Sequence, residues 1–175
     1  MTDASRELAR AAGALAGLGL SGWPLVAAVQ RLVHERFRFY SCLSWWESPA
    51  TAFGRGRGYC AQYNGALAGM LGGLGFDCQL VHAFRVRMLD DPSWRMGHVW
   101  VRVRFDGEVR DVCAGSRAAE SLVVRFQPIT RVWAFGRAMR FVTTLGMAPI
   151  VWGSLLRSAA TGTPRASWLH HPFTD

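Results

Sequence analysis

Lysine is absent from this chain. All 20 basic residues are arginine, set against 12 acidic residues, which leaves a net charge of +8. The arginines are scattered, and pairs such as Arg85/Arg87 and Arg102/Arg104 are spaced for one face of a strand. Such a surface suits an anionic partner (a phosphate, a cofactor, an acidic carrier protein, a membrane) or simply a solvated face. No RNA- or DNA-binding signature accompanies the charge, so nucleic acid is not an expected partner. No C-x-x-C pair occurs among Cys42, Cys60, Cys78 and Cys113, and His170-His171 stands alone, so no metal centre is expected. The first residues, Met1-Thr2-Asp3 with Glu7 following, lack a basic n-region and cleavage site. A cytoplasmic, reduced chain without disulfides is therefore the expectation. The uncharged stretch 141–156 is too short, and too broken by Gly146 and Pro149, to span a bilayer. Its expected role is a core helix or a lid, with peripheral membrane contact as the alternative. There is no internal repeat and no low-complexity linker.

What is present fits one domain over 1–175: the length is 175 residues and half of them are hydrophobic, enough for a substantial core. The chain is organised around 53–74, F-G-R-G-R-G-Y-C-A-Q-Y-N-G-A-L-A-G-M-L-G-G-L. Alternating Gly and Arg lead into Tyr59-Cys60, and an apolar helical pattern follows. Cys60 is thereby placed in the first turn of a buried helix, where unpaired N–H groups and a partial positive charge favour a thiolate. The upstream glycines are expected to turn the backbone tightly and to leave room for a substrate. A buried Cys used as a small hydrophobe is the competing reading.

Around this helix the pattern predicts an Ala-rich helix over 5–18, a second helix over 24–38 opened by Pro24, and a loop over 40–53. Trp45 and Trp46 in that loop are candidates for core or lid packing, or for lining a substrate site. The Cys60 helix ends near Leu74, with Gly75 as its cap. Strands follow over 78–88, 97–105 and 108–113, the last two joined by Asp106-Gly107, a two-residue hairpin signal. One or two helices are expected over 130–157. His34 and His82 read as packed or surface histidines.

A thiol nucleophile needs a base and a group that orients the base. His98, opening a strand after a loop, is the candidate base, and Asp111 on the returning strand is the candidate orienting acid. Hairpin register sets a difficulty. If Asp106-Gly107 is a two-residue turn, Phe105 faces Glu108, Arg102 faces Asp111 and His98 faces Gly115. Asp111 then lies on the order of 13 Å along the sheet from the point opposite His98, at about 3.3 Å per residue. Cys113 is the residue placed diagonally from His98. Either a bulge shifts the register, or Asp111 pairs with Arg102.

G-Y-C-A-Q-Y before an apolar helix, then L-G-F-D-C-Q-L-V, then H-V-W-V-R-V, resembles the transglutaminase-like proteins of the papain-like fold. The upstream V-Q-R-L-V-H-E-R-F-R-F-Y is similar to the helix preceding their cysteine, and the resemblance covers 25–115. R-G-Y-C-A-Q-Y-N-G and D-V-C-A-G also resemble arylamine N-acetyltransferases, a second branch of that fold. Asn64 fits the second branch better and Trp100 the first. The resemblance implies an α+β core with a Cys at the start of a central helix packed on an antiparallel sheet, plus a helical C-terminal extension over 128–160. It implies acyl transfer through Cys60, His98 and Asp111, with the Cys60 N–H as an oxyanion donor and Trp45, Trp46, Gln62 and Trp100 near the substrate. The implied substrates are small-molecule or peptide amides for a hydrolase or transamidase, or a CoA or carrier-bound thioester for an acyltransferase. A scaffold that has lost the chemistry is the third reading.

Overall fold

Tyr59 is extended and Cys60 is helical, and the rest of the fold is packed around that junction. A computed structural model describes residues 2–40, 46–89, 92, 95–115, 122–136, 156 and 160. The elements in order are α1 (Asp3–Ala16), α2 (Gly22–Arg36), β1 (Phe39–Tyr40), α3 (Pro49–Arg55), β2 (Arg57–Gly58) and α4 (Cys60–Gly73). They continue as β3 (Asp77–Met88), β4 (Arg95–Phe105), β5 (Glu108–Val112), β6 (Phe126–Pro128) and β7 (Val132–Ala134).

The chain is α+β, as expected. β5, β4, β3 and β6 form an antiparallel sheet in that order. β7 extends it along β3, pairing Val81–Ala83 while β6 pairs Val86–Met88. α4 runs through the middle, touching α1, α2 and α3 as well as β3 and β4. Its first five residues, Cys60 to Asn64, are all buried. Gln62 caps the helix: its Oε1 accepts from the Tyr59 N–H at 3.2 Å while its Nε2 donates to the Glu47 carbonyl at 3.2 Å. The helix stops at Leu74, and Gly75 follows at φ +87°, the left-handed residue that terminates such helices. Two small residues of α4 let helices pack close: a Cβ on Gly65 would lie 2.6 Å from Pro49, and one on Gly69 3.4 Å from Leu8.

The expected loop over 40–53 contains a helix, α3. Ser48 caps it, accepting from the Thr51 N–H at 3.1 Å, and Pro49 supplies the first turn. The upstream glycines serve packing rather than an open approach. Gly56 ends α3 at φ +65°, where a Cβ would lie 2.8 Å from the Arg36 carbonyl, and a Cβ on Gly58 would meet Gln62 at 2.8 Å. The helices expected over 130–157 begin instead with strand β7. Val132 and its neighbours continue the sheet edge there, because β3 is long enough to pair β6 and β7 in succession. The uncharged stretch at 141–156 lies outside the described residues except Leu156, as do Trp45 and His170-His171. Among the described residues, no helix is long and apolar enough to cross a membrane.

Candidate active site

Register decides what stands beside His98. Asp106 and Gly107 both take positive φ, +50° and +75°, as a two-residue turn of the hairpin type requires. β4 and β5 therefore pair Phe105 with Glu108 and Arg102 with Asp111. No bulge intervenes in this hairpin. The Asp111 carboxylate is held by Arg102 in a two-pronged ion pair, Nε to Oδ1 at 2.8 Å and the second guanidinium nitrogen to Oδ2 at 3.0 Å. That contact raises the Arg102 pKa further. The assignment of Asp111 as the acid that orients His98 is thus corrected: its carboxylate is committed to its cross-strand neighbour.

His98 instead reaches Cys113, with Nε2 3.3 Å from Sγ. A bulge on the other side of β4 helps to aim it. β3 carries an extra residue between Ala83 and Val86 against β4, adjacent to the Ala83–His98 pair. Bulges of this kind re-aim a neighbouring side chain. The imidazole is enclosed by aromatic rings, stacked parallel to Trp100 at 6.3 Å between centroids and met edge-on by Phe126 at 4.7 Å. Burial pushes the His98 pKa down to about 3, and His82 nearby acts in the same direction. His98 is accordingly neutral near pH 7. Its buried Nδ1 has no hydrogen-bond partner among the described residues.

Cys113 is fixed from two helices. From α2, Gln30 Nε2 donates to the Cys113 carbonyl at 2.9 Å, and His34 Nδ1 meets the Ala114 carbonyl at 2.8 Å. A carbonyl only accepts, so Nδ1 of His34 carries the proton. From α4, Asn64 donates to the Val99 carbonyl at 2.7 Å and accepts from the Ala114 N–H at 2.9 Å, tying the ends of β4 and β5 together. Asn64 Nδ2 also lies 3.5 Å from Cys113 Sγ. Burial pushes the Cys113 thiol up to about 11, opposed by hydrogen bonds from Asn64, the Gly115 backbone and Tyr63. Burial and Asp77 likewise raise the Cys78 thiol. Raised thiols of this kind are poor nucleophiles.

Cys60 lies three and four residues before Tyr63 and Asn64, two α4 side chains that hydrogen-bond Cys113. Residues so spaced share one helix face, with Cβ atoms about 5–6 Å apart. One face of the first turn and a half of α4 thus carries Cys60, and the same face contacts the residue that contacts His98. Cys60 and His98 are both enclosed, 0% and 1% exposed.

The remaining candidates divide. Gln62 is occupied as the helix cap, with its amide N–H on Glu47, so its structural role is established. Trp100 is fully buried against His98 and Phe126, 5.1 Å from the latter, and belongs to the core. Trp46 is 66% exposed. Sequence reasoning assigned no role to Gln30, Tyr63 or His34 in the site. The helical spacing of Gln30 and His34 was a signal that their side chains act together. No group of three or more His, Cys, Asp or Glu residues could hold a metal among the described residues.

Because its carboxylate is held by Arg102, Asp111→Asn is expected to change Cys60 alkylation by less than about twofold. The expected stability loss is no more than about 1 kcal/mol for a partly exposed ion pair. Alkylation rates and urea denaturation measured side by side check both.

The family model for the transglutaminase-like superfamily matches residues 24–109. The matched segment contains Cys60 and His98 and ends before Asp111 and Cys113. No curated protein matches the chain.

Proposed function

Because residues 24–109 form a transglutaminase-like superfamily domain, whose chemistry is cysteine-based acyl transfer or hydrolysis, we propose that this protein transfers acyl groups through Cys60 with His98 as its base. The observation that carries the reading is the continuity of the site. Cys60 shares a helix face with Tyr63 and Asn64, both of which contact Cys113, and Cys113 contacts His98 Nε2. The other ring nitrogen of His98 has no hydrogen-bond partner among the described residues.

The Cys60 thiol passes its proton to that nitrogen as Sγ attacks a carbonyl carbon. The helix N-terminus favours the developing negative charge. The tetrahedral intermediate collapses to an acyl-enzyme, and the imidazolium returns its proton to the leaving group. Water or an amine then accepts the acyl group. Amide hydrolysis or transamidation is the first reading of the substrate. An acyltransferase working from a CoA or carrier-bound thioester differs only in the leaving group, which needs less help from an acid. The neutral, low-pKa imidazole favours neither donor by itself. Site enclosure also suits the non-enzymatic reading, in which Cys60 is only a core side chain.

The deciding measurement is the pH dependence of iodoacetamide alkylation at Cys60, followed by peptide mass spectrometry in wild type and His98→Ala. A base relation predicts a fall of roughly 10²-fold in rate near pH 7 on removing His98. Equal profiles for the two proteins sink the proposal.

A further inference from the structure

We infer that Cys113 is the positioning residue for His98, its thiol sulfur accepting the Nε2 proton at the place where an orienting acid was expected. The catalytic meaning of this contact rests on the function proposed above; the contact itself does not.

A neutral imidazole carries one N–H, and the nitrogen that lacks it is the base. If the proton sits on Nδ1, the lone pair points at Cys113 and nothing is left to accept from another thiol. If it sits on Nε2, it donates to Cys113 Sγ 3.3 Å away, and Nδ1 presents its lone pair. Buried Nδ1 has no hydrogen-bond partner among the described residues. Leaving an acceptor lone pair without a partner in an apolar enclosure is the lesser penalty, since under-satisfied acceptors are commoner than orphaned N–H groups. The Nε2–H tautomer is therefore the one this surround selects.

Cys113 is built to be a fixed acceptor. Its carbonyl is held by Gln30, the following residue by His34 and Asn64, and its side chain by Asn64. These contacts come from both α2 and α4, so Sγ has little freedom to move away from the ring. The thiol stays protonated across the working range, which makes Cys113 a neutral orienter. A carboxylate would stabilise the imidazolium by charge. A thiol fixes the tautomer and ring angle without adding charge, so proton transfer from Cys60 to Nδ1 proceeds only as negative charge develops on the sulfur. In that step the Cys60 S–H bond breaks and the Nδ1–H bond forms, while the Nε2–H bond to Cys113 is unchanged.

The titratable group that acts on the ring is His82 of β3, whose own pKa is lowered by burial. Asp111 of β5 pairs with Arg102, four positions along β4 from His98. Neither supplies a charge at Nε2.

The test is the tautomer of His98, read by nitrogen-15 NMR on histidine-labelled wild type, Cys113→Ala and Cys113→Ser near pH 7. The expected result is protonation at Nε2 in wild type, a mixed or Nδ1-protonated ring in Cys113→Ala, and a return to Nε2 in Cys113→Ser, whose oxygen accepts in place of sulfur. Native amide spectra elsewhere show that the variants fold. An Nδ1-protonated wild type, or a tautomer that Cys113→Ala leaves untouched, overturns the inference. Cys60 alkylation in the same proteins separates the two ideas. A loss of roughly two- to tenfold in Cys113→Ala, restored by serine, is expected from one hydrogen bond. A His98→Ala variant that alkylates like wild type removes the base role while the NMR result still decides the contact.

Discussion

A chain carrying Cys60→Ala will take up no acyl group from any donor that labels the native protein. Cys60 is the one described cysteine placed at the first position of a helix, whereas burial holds the thiols of Cys78 and Cys113 up, the latter to about 11. A thiol with so little thiolate neither attacks nor leaves readily. Removing the nucleophile of a covalent mechanism is expected to cost at least about 10³-fold in turnover. The experiment offers peptide amides, p-nitrophenyl esters and acyl-CoA in turn, traps the product in acid, and reads the mass of each cysteine peptide. An adduct on Cys60 with amides favours the hydrolase or transamidase reading, and one with acyl-CoA alone favours the acyltransferase. An adduct on Cys113 or Cys78 that survives Cys60→Ala sinks the assignment.

The second large effect is on stability. His98 titrates near 3 in the folded chain against 6.5 for a free imidazole, because charging it inside an aromatic enclosure is costly. Between these values the unfolded chain binds a proton that the folded chain refuses. Stability is thus complete above pH 6.5, falls as the pH drops, and stops falling below about 3. The loss due to His98 is roughly 3 kcal/mol by pH 4 and about 5 kcal/mol in all. His82, lowered by the same cause, adds a loss of the same sign. Carboxylates titrate over part of this range, so the comparison is between wild type and His98→Leu in urea at pH 7 and pH 4. The difference between the proteins in stability lost should be about 3 kcal/mol, with wild type losing more. An equal loss in both would mean that the imidazole is not excluded from charge as its surroundings imply.

An enclosed imidazole beside a neutral thiol stays unprotonated far into acid, and it is a structural liability there. An acid at position 113 would relieve the liability by pairing with the ring's positive charge. The side chain found there does not.

Much of the arrangement was legible in advance where one local rule decided it. The helix from Cys60 followed from an apolar run after glycines, and its end followed from Gly75, which takes the left-handed conformation. The hairpin followed from Asp106-Gly107, and its register placed Asp111 opposite Arg102 and Cys113 diagonal to His98. α3 escaped notice although Ser48-Pro49 is a good helix start. A seven-residue helix has too few turns for periodicity to show. β7 escaped because Val132–Ala134 reads equally well as the start of a helix, and only the free edge of β3 selects a strand. Gln62 could not be told from a substrate-binding amide by sequence, since its cap bond and its bond to Glu47 depend on where a separate loop runs.

The sequence by itself determined the scaffold: an α+β chain with a cysteine at the head of a buried helix and a histidine on the second long strand, because helix caps, alternation and hairpin turns act over a few residues. Only the tertiary structure decided which group stands against that histidine. Whether Asp111 or Cys113 meets the ring depends on the exact pairing of two strands, a bulge in a third, and clamps from α2 and α4. Those contacts span dozens of residues, and a shift of two positions along the sheet exchanges a carboxylate for a thiol.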